Sequence, residues 1–277
     1  MAYNNEIINF SIDGFKRVDE NVELNGVHQH VLKDKHQNFF GNHKLDFKLH
    51  RWAGSLKSSQ AFAFNVFSGM DYVKEYEYPM RALDANPLHR ACVDVMIRDG
   101  EMVRMYEVKM FELANASSRN KIFHKLEHQK YFDAKNYYWN REIATPFISF
   151  IKNVQTHFTD TPIYGEGIKQ LCCHLLGIIN EMTIIDGTLK NKKVELYSLC
   201  FDMPFLSSFK NDTENYKNTL KVFKVIVDQF LEEIGLDTQI SYQGFLSASE
   251  HIKNNAELIN RKNYDYISKR YFRGTLK

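Results

Sequence analysis

Two carboxylates and a lysine stand close together in the sequence, each inside a short apolar run. Asp94 interrupts the segment CVDVMI, and one residue separates Glu107 from Lys109 in the segment YEVKMF. Residues two apart in a β-strand project to the same face, so we expect Glu107 and Lys109 to point together and Val108 to point away. Burying charged side chains in apolar strands costs free energy unless an ion pair or a bound metal compensates their charge. The pattern therefore indicates either a buried ion pair or a reactive site.

These residue types suit metal-assisted hydrolysis of a phosphodiester. The carboxylates of Asp94 and Glu107 are hard oxygen ligands of the kind that Mg²⁺ takes, with Mn²⁺ as the alternative, and the backbone carbonyl of Val108 is a candidate third ligand. Such a metal lowers the pKa of a bound water. Lys109 would orient or deprotonate that water and stabilise charge on phosphorus. The competing interpretation is a salt bridge of Lys109 with either acid, because Glu-x-Lys is a common tripeptide.

Hydrophobic periodicity and turn residues predict the elements that position these side chains. In chain order they are a helix at 57–68, strands at 71–79, 90–99 and 101–112, helices at 116–138 and 166–182, a strand at 194–201 and a helix at 213–234. Pro79 is expected to close the first strand, and Asp99-Gly100 is a strong signal for an antiparallel hairpin. That hairpin would bring Asp94 close to Glu107.

The predicted fold class is α/β, with a mixed central sheet between helices. We expect a single domain over residues 51–277 that ends in further helices, preceded by an irregular N-terminal arm at residues 1–50. The arm is rich in histidine, but the loose spacing favours a solvated segment over a metal site. Residues 261–277 combine basic and aromatic side chains, which suits nucleic-acid contact and a helix with an aromatic core face equally well.

Composition excludes several classes of protein. With 44% hydrophobic and 25% charged residues the chain is globular, and a net charge of +2 allows a nucleic-acid partner without requiring one. The four cysteines form no CxxC pair, so a zinc site of ordinary spacing is not expected. The sequence contains no P-loop, dinucleotide or GxSxG motif. It also lacks a signal peptide and any long apolar run, which predicts a cytoplasmic protein with no membrane partner.

Asp94, followed one hairpin later by Glu107-Val-Lys109, resembles the motif of the PD-(D/E)xK nuclease superfamily. The order helix, strand, strand, strand, helix around these residues is that of the superfamily's core. Val93 stands where the motif usually has proline. The resemblance implies a restriction-endonuclease-like fold and an active site formed by Asp94, Glu107 and Lys109.

A narrower resemblance is to a family of bacterial predicted type II restriction endonucleases. It is carried by the segments SSQAFAFNVF (58–67), RACVDVMIR (90–98), YEVKMFE (106–112) and IKQLCCHLL (168–176). It implies that Gln60 belongs to the site, where other superfamily members often place a glutamate, and that a second metal would be held less strongly. Glu112 matches an acid of the narrower family, but strand periodicity puts it opposite Glu107. We therefore expect Glu112 to be structural.

The function implied by the resemblance is a Mg²⁺-dependent endonuclease that hydrolyses DNA, most naturally a restriction enzyme. Cutting both strands needs two sites, so a homodimer is expected. Two alternatives stay open: a catalytically inactive nucleic-acid-binding module on the same fold, and a repair or defence nuclease acting on RNA, single strands or branched DNA. Gln170 and His174, one turn apart in the predicted helix 166–182, could point polar groups at DNA or at the site, but a helix-surface pair or a satisfied core histidine is the favoured interpretation.

Overall fold

The computed structural model describes residues 2–18, 47–50, 57–86, 89–115, 122–158, 164–202 and 207–276. Its helices are α1 (Ala2–Lys16), α2 (Ser59–Ser68), α3 (Ala144–His157), α4 (Gly165–Thr183), α5 (Ser207–Glu233), α6 (Ala248–Asn254) and α7 (Arg261–Phe272). Its strands are β1 (Val73–Arg81), β2 (Arg90–Asp99), β3 (Met102–Lys109), β4 (Lys193–Cys200) and β5 (Ile240–Ser247). Within these ranges no helix has the length and apolarity needed to span a membrane.

The five strands form one mixed sheet in the order β1-β2-β3-β4-β5. β1, β2 and β3 are antiparallel neighbours, whereas β3, β4 and β5 run parallel. The predicted hairpin is confirmed: Asp99 pairs with Met102, and Gly100 between them takes a φ of 62°, which glycine adopts without strain. A parallel neighbour needs a long crossover, and the chain between β3 and β4 contains α3 and α4.

Helices cover both faces of the sheet. Tyr106 of β3 packs on Phe67 of α2, with ring centroids 4.8 Å apart. The next residue, Glu107, hydrogen-bonds to His174 of α4. Consecutive strand residues face opposite sides, so α2 and α4 lie on opposite faces at β3. The expected mixed α/β sheet between helices is therefore confirmed.

Helix α2 is buried on almost every side. The Ser58 hydroxyl accepts a hydrogen bond of 3.1 Å from the Ala61 N–H and caps the helix. Every residue from 60 to 67 is buried, which suits a helix that is apolar all round. The predicted helix at 57–68 is thus confirmed. One consequence is that Gln60, in its first turn, is held in the interior.

Two of the predicted strand ends are wrong. β1 continues past Pro79 to Arg81, and Pro79 pairs with Cys92. Proline is tolerated there because β1 is an edge strand. β3 ends at Lys109, and a short 3-10 helix begins at Glu112, so the predicted strand 101–112 is too long.

The predicted helix at 116–138 is also wrong. The chain forms short 3-10 helices at Leu126–Phe132 and Ala134–Asn136, and residues 116–121 lie outside the described part. Helical spacing does not hold because the aromatic residues here pack around Phe123: its ring lies 5.1 Å from that of Tyr131 and 5.9 Å from that of Phe132. Helix α3 follows and was not predicted.

The two ends of the chain are more ordered than expected. α1 falls within the segment expected to be irregular, and it buries Ile7 and Phe10 against the core. That expectation is wrong for residues 2–16, and residues 19–46 lie outside the described part. β5 interrupts the C-terminal region expected to be helical. In α7 the aromatic side chains of Tyr271 and Phe272 are buried. This favours the expectation of a helix with an aromatic core face over that of nucleic-acid contact through these rings.

A buried ion pair joins β1 to the end of α4. The Glu181 carboxylate accepts two hydrogen bonds from the Arg81 guanidinium, at 2.8 and 2.7 Å, and two from Thr188 at 3.1 Å. Burial opposes ionisation of Glu181, but the hydrogen bonds from Arg81 outweigh it and lower its pKa to about 2. This pair therefore fixes α4, which carries Gln170 and His174, to the edge strand.

We expect Glu181→Gln to lower the free energy of unfolding by about 3–5 kcal/mol, because it leaves the largely buried Arg81 guanidinium without its main counter-charge. The folded pKa of Glu181 lies below its ordinary value of 4.5, so its contribution is complete above pH 4.5 and is lost as the pH falls through 2. Urea unfolding at pH 7 and pH 3 measures both effects.

The matched control is Asp186→Asn. Asp186 also bonds to Arg81, at 2.9 Å, but its side chain is 79% exposed. Exposed ion pairs contribute less than about 1 kcal/mol, so this change should have little effect. Equal losses in the two variants would contradict the assigned role of Glu181.

Candidate active site

The strands β2 and β3 separate at the position of Asp94. Their pairing ends with Val95 opposite Tyr106, so Asp94 and Glu107 are the next residues on the two strands. Oδ2 of Asp94 accepts a hydrogen bond of 2.6 Å from the Val108 N–H. A side-chain carboxylate thus satisfies a backbone donor that would otherwise be left without an acceptor. The N–H and C=O of an extended residue share one strand edge, so the Val108 carbonyl also faces β2.

Glu107 and Lys109 form a buried pair on one face of β3, as predicted, and α4 covers that face. Their exposed fractions are 2% and 4%. The Lys109 ammonium donates to Oε1 of Glu107 and, at 2.8 Å, to Oε1 of Gln170. His174 Nε2 donates to Oε2 of Glu107 at 2.7 Å. Such partners are what a buried charge pair requires.

The two α4 residues are not a surface pair: His174 is a buried histidine, and both side chains point at the site, which the sequence had left as the less favoured alternative. Gln170 binds the lysine and His174 binds the glutamate of the candidate site. The one-turn spacing of these polar residues in an apolar helix was the only signal in the sequence. It did not show which strand residues α4 would cover.

Gln60 lies at the same site through the first turn of α2. Its Nε2 donates to Oε1 of Glu77 at 2.8 Å and to the Lys48 carbonyl at 3.2 Å. Its Oε1 accepts from the His50 N–H at 2.9 Å. The amide therefore connects the chain before α2 to β1. Sequence reasoning did not single out Glu77, because it is one of several alternating charges in a strand.

Glu77 reaches the site because the backbone of β1 changes direction there. Tyr76 packs on Phe64 of α2, whereas the Tyr78 hydroxyl bonds to Thr188 after α4, at 2.6 Å. Strand alternation would put these two tyrosines on one face. Glu77 between them has a φ of 51°, a left-handed conformation that costs a non-glycine residue about 1–2 kcal/mol. Strain of this kind persists only where the surroundings hold it, and often at functional sites.

A cavity of about 420 Å³ brings these side chains together. We call it the carboxylate cavity. The residues around it include all the sequence-predicted site residues, namely Gln60, Asp94, Glu107, Val108 and Lys109, together with Lys57, Ser58, Ser59, Glu77, Cys92, Glu112, Tyr164 and Gln170. The predicted residues are therefore neighbours, while their chemical roles stay predictions.

Glu112 is a correction to the expected arrangement. Strand periodicity placed it opposite Glu107, but β3 ends at Lys109 and the chain turns before Glu112. Its Oε2 accepts a hydrogen bond of 2.7 Å from the Met110 N–H, and the residue borders the carboxylate cavity. Periodicity fails as a guide here because it holds only within a continuous strand.

The carboxylates of this cavity differ in how well they are compensated. Burial and the charge of Glu107 raise the pKa of Asp94 well above its usual range. Burial opposes ionisation of Glu107, but Lys109 and His174 outweigh it and lower the pKa to about 2. Burial also opposes the charge of Lys109, and Glu107 and Asp94 overcome it and raise the lysine pKa. Asp94 is thus the acid that most needs a further positive charge.

The donor set fits one hard divalent cation. Among the described residues no three His, Cys, Asp or Glu side chains are arranged as a complete metal site. Mg²⁺, however, usually takes one or two protein carboxylates and fills its other positions with water and substrate oxygens. Asp94 Oδ1 makes no hydrogen bond within the described residues, and the Val108 carbonyl opens to the same edge. A cation there would supply the positive charge that Asp94 lacks.

Comparison of this chain with family models, curated proteins and solved structures finds no match. Its function has to be argued from its own residues.

We expect Asp94→Asn to raise the free energy of unfolding by about 0.5–2 kcal/mol in the presence of EDTA. The amide keeps the acceptor for the Val108 N–H but removes a charge that burial and Glu107 disfavour. Urea unfolding at pH 7 measures the change. Asp99→Asn on the same strand is the control and should stay within about 0.5 kcal/mol. A destabilised Asp94→Asn would mean that the charge itself holds the strands.

Proposed function

We propose that this protein is a Mg²⁺-dependent endonuclease that hydrolyses DNA phosphodiester bonds on a restriction-endonuclease-like core. The observation that carries the proposal is the meeting of Asp94, Glu107 and Lys109 where β2 and β3 separate. An incompletely compensated carboxylate, a second carboxylate and a protonated lysine then border one cavity. Groups of these kinds can hold a metal and support metal-assisted phosphodiester hydrolysis.

Asp94, Glu107 and the Val108 carbonyl would hold the metal. When bound, the cation supplies Lewis acidity toward the phosphate and a more acidic water. Lys109 has a raised pKa and therefore keeps its proton. We infer that it stabilises negative charge on the phosphate and orients water, and does not act as the base.

Helix α4 supplies the groups that orient this pair. Gln170 holds the Lys109 ammonium at 2.8 Å, and His174 holds the Glu107 carboxylate at 2.7 Å. Residues that orient ligands in this way commonly tune both their geometry and their basicity. Gln60 would play the same part for Glu77, which it contacts at 2.8 Å.

The first turn of α2 suits a phosphate bound in the carboxylate cavity. Lys57, Ser58 and Ser59 border the cavity where α2 begins. A helix N-terminus presents unpaired N–H groups and a partial positive charge, and it commonly binds phosphate. The scissile phosphate would lie between this turn and the carboxylates. A restriction enzyme acting as a homodimer remains the most natural role.

One observation favours a second candidate function. Both oxygens of Glu107 are already engaged, one by Lys109 and one by His174. A carboxylate so well compensated could be part of a structural ion cluster. The protein would then be a nucleic-acid-binding module without catalytic activity. The experiment below separates the two candidates.

We expect purified protein to nick or linearise plasmid DNA with Mg²⁺ or Mn²⁺ and not with EDTA. Asp94→Asn should abolish cleavage because the metal loses a ligand. Lys109→Met should reduce the rate by about 10²–10³-fold because charge stabilisation is lost. Gel analysis of cleavage measures both, and titration calorimetry with Mn²⁺ should show binding to the parent protein that Asp94→Asn loses.

The controls keep the charge change but move it away from the cavity. Asp99→Asn lies at the other end of β2, and Lys193→Met lies at the start of β4. Both should cleave like the parent. Full cleavage by Asp94→Asn would remove this residue from the mechanism. Tight DNA binding with no cleavage under any metal would instead support the inactive module.

A further inference from the structure

A second cavity, of about 460 Å³, adjoins the first. We call it the basic cavity. Cys92 of β2 and Gln170 of α4 border both cavities. Gln170 also accepts the hydrogen bond from Lys109. The two cavities are therefore neighbours across the residue that orients the candidate lysine.

The charges of the two cavities are opposite. Four carboxylates border the first, those of Glu77, Asp94, Glu107 and Glu112. The basic cavity is bordered by Arg90, Lys130 and Lys169, and Glu127 is the one acid among its lining residues in the described part of the chain.

None of these three cations forms an ion pair within the described residues. Arg90 lies over the ring of Trp139 at 5.5 Å, and Lys130 lies 5.9 Å from the ring of Tyr131. Contact with a ring attracts a cation without neutralising its charge. The basic cavity thus offers unpaired positive charge next to a site rich in carboxylates.

Two buried histidines also line the basic cavity. They are His128 and His174, and each is only 3% exposed. The Nδ1 atom of each is buried and has no hydrogen-bond partner among the described residues. Unsatisfied buried polar atoms are rare in folded proteins, and a bound water or ion is one of the explanations for them.

We propose that the basic cavity binds a phosphate of the DNA strand next to the phosphate that is cleaved. Arg and Lys make the strongest hydrogen bonds to phosphate oxygens, and contacts of this kind set the position of the strand without reading its sequence. DNA is favoured over other anions because the cavity adjoins the site proposed for phosphodiester hydrolysis, on which this inference rests. Lys169 and Gln170 are consecutive in α4, so a phosphate at Lys169 would be placed beside the Lys109 site.

The test is the binding of a fluorescent DNA duplex in Ca²⁺ or EDTA, without cleavage, by anisotropy over a range of salt concentrations. Lys130→Gln with Lys169→Gln should weaken binding at low salt by at least about tenfold. The plot of log K against log salt has a negative slope, and its magnitude should decrease by about one to two because each phosphate contact contributes about 0.9. The matched control is Lys152→Gln with Lys253→Gln, two exposed lysines of α3 and α6, which should bind like the parent.

A change of the opposite sign gives a second test. Glu127→Gln removes the carboxylate at the cavity edge and should tighten binding, whereas general loss of structure would weaken it. Circular dichroism of all variants checks folding. If the double variant keeps the affinity and salt slope of the parent, the inference is overturned, while cleavage by the parent would leave the proposed function in place.

The opposite pattern is also distinguishable. A parent protein that binds DNA without cleaving it, and loses salt-dependent binding in the double variant, would overturn the proposed catalysis and support the basic cavity. A parent protein that does not bind DNA at all would overturn both.

Discussion

The hydrogen bond from the Val108 N–H to the Asp94 carboxylate is the contact on which the rest of the site depends. It takes the place of a backbone bond between β2 and β3, so the two strands separate there. The gap leaves backbone of β3 at the carboxylate cavity, which Val108 lines. It also holds a carboxylate in a buried position near Glu107, and burial and then the charge of Glu107 raise the pKa of Asp94. The strand separation that forms the cavity therefore comes with a buried carboxylate, that of Asp94, whose ionisation is unfavourable.

Helix α4 makes the buried charges of β3 tolerable. Without Gln170 and His174, the pair Glu107–Lys109 would have fewer hydrogen bonds than its burial demands. α4 can supply them only if it lies close to the sheet. At Gly177 it does: a Cβ there would lie 2.8 Å from Cβ of Met80 on β1. The Arg81–Glu181 pair fixes the far end of the same helix. α4 therefore carries both the structural residue Glu181 and the residues Gln170 and His174 that contact the candidate site.

The two adjoining cavities divide opposite charges between them. A nucleic-acid strand is a row of negative charges, and carboxylates alone would repel it. A cation held by Asp94 and Glu107 would reverse that repulsion at one phosphate, and Arg90, Lys130 and Lys169 would attract the next. This arrangement explains how a protein with a net charge of only +2 can present a locally basic surface. The distribution of charge matters more than its sum.

The sequence by itself determined what depends on neighbouring residues: the Asp99-Gly100 hairpin, the helix at 57–68, and the placement of Glu107 and Lys109 on one strand face. These follow from turn chemistry and periodicity over a few residues. Only the tertiary structure decided that α4 brings Gln170 and His174 onto that pair, that β5 pairs beside β4, and that Glu77 turns into the cavity. Those contacts join residues far apart in the chain, where packing overrides local propensity. For that reason the predicted helix at 116–138 was wrong while the predicted site residues came together.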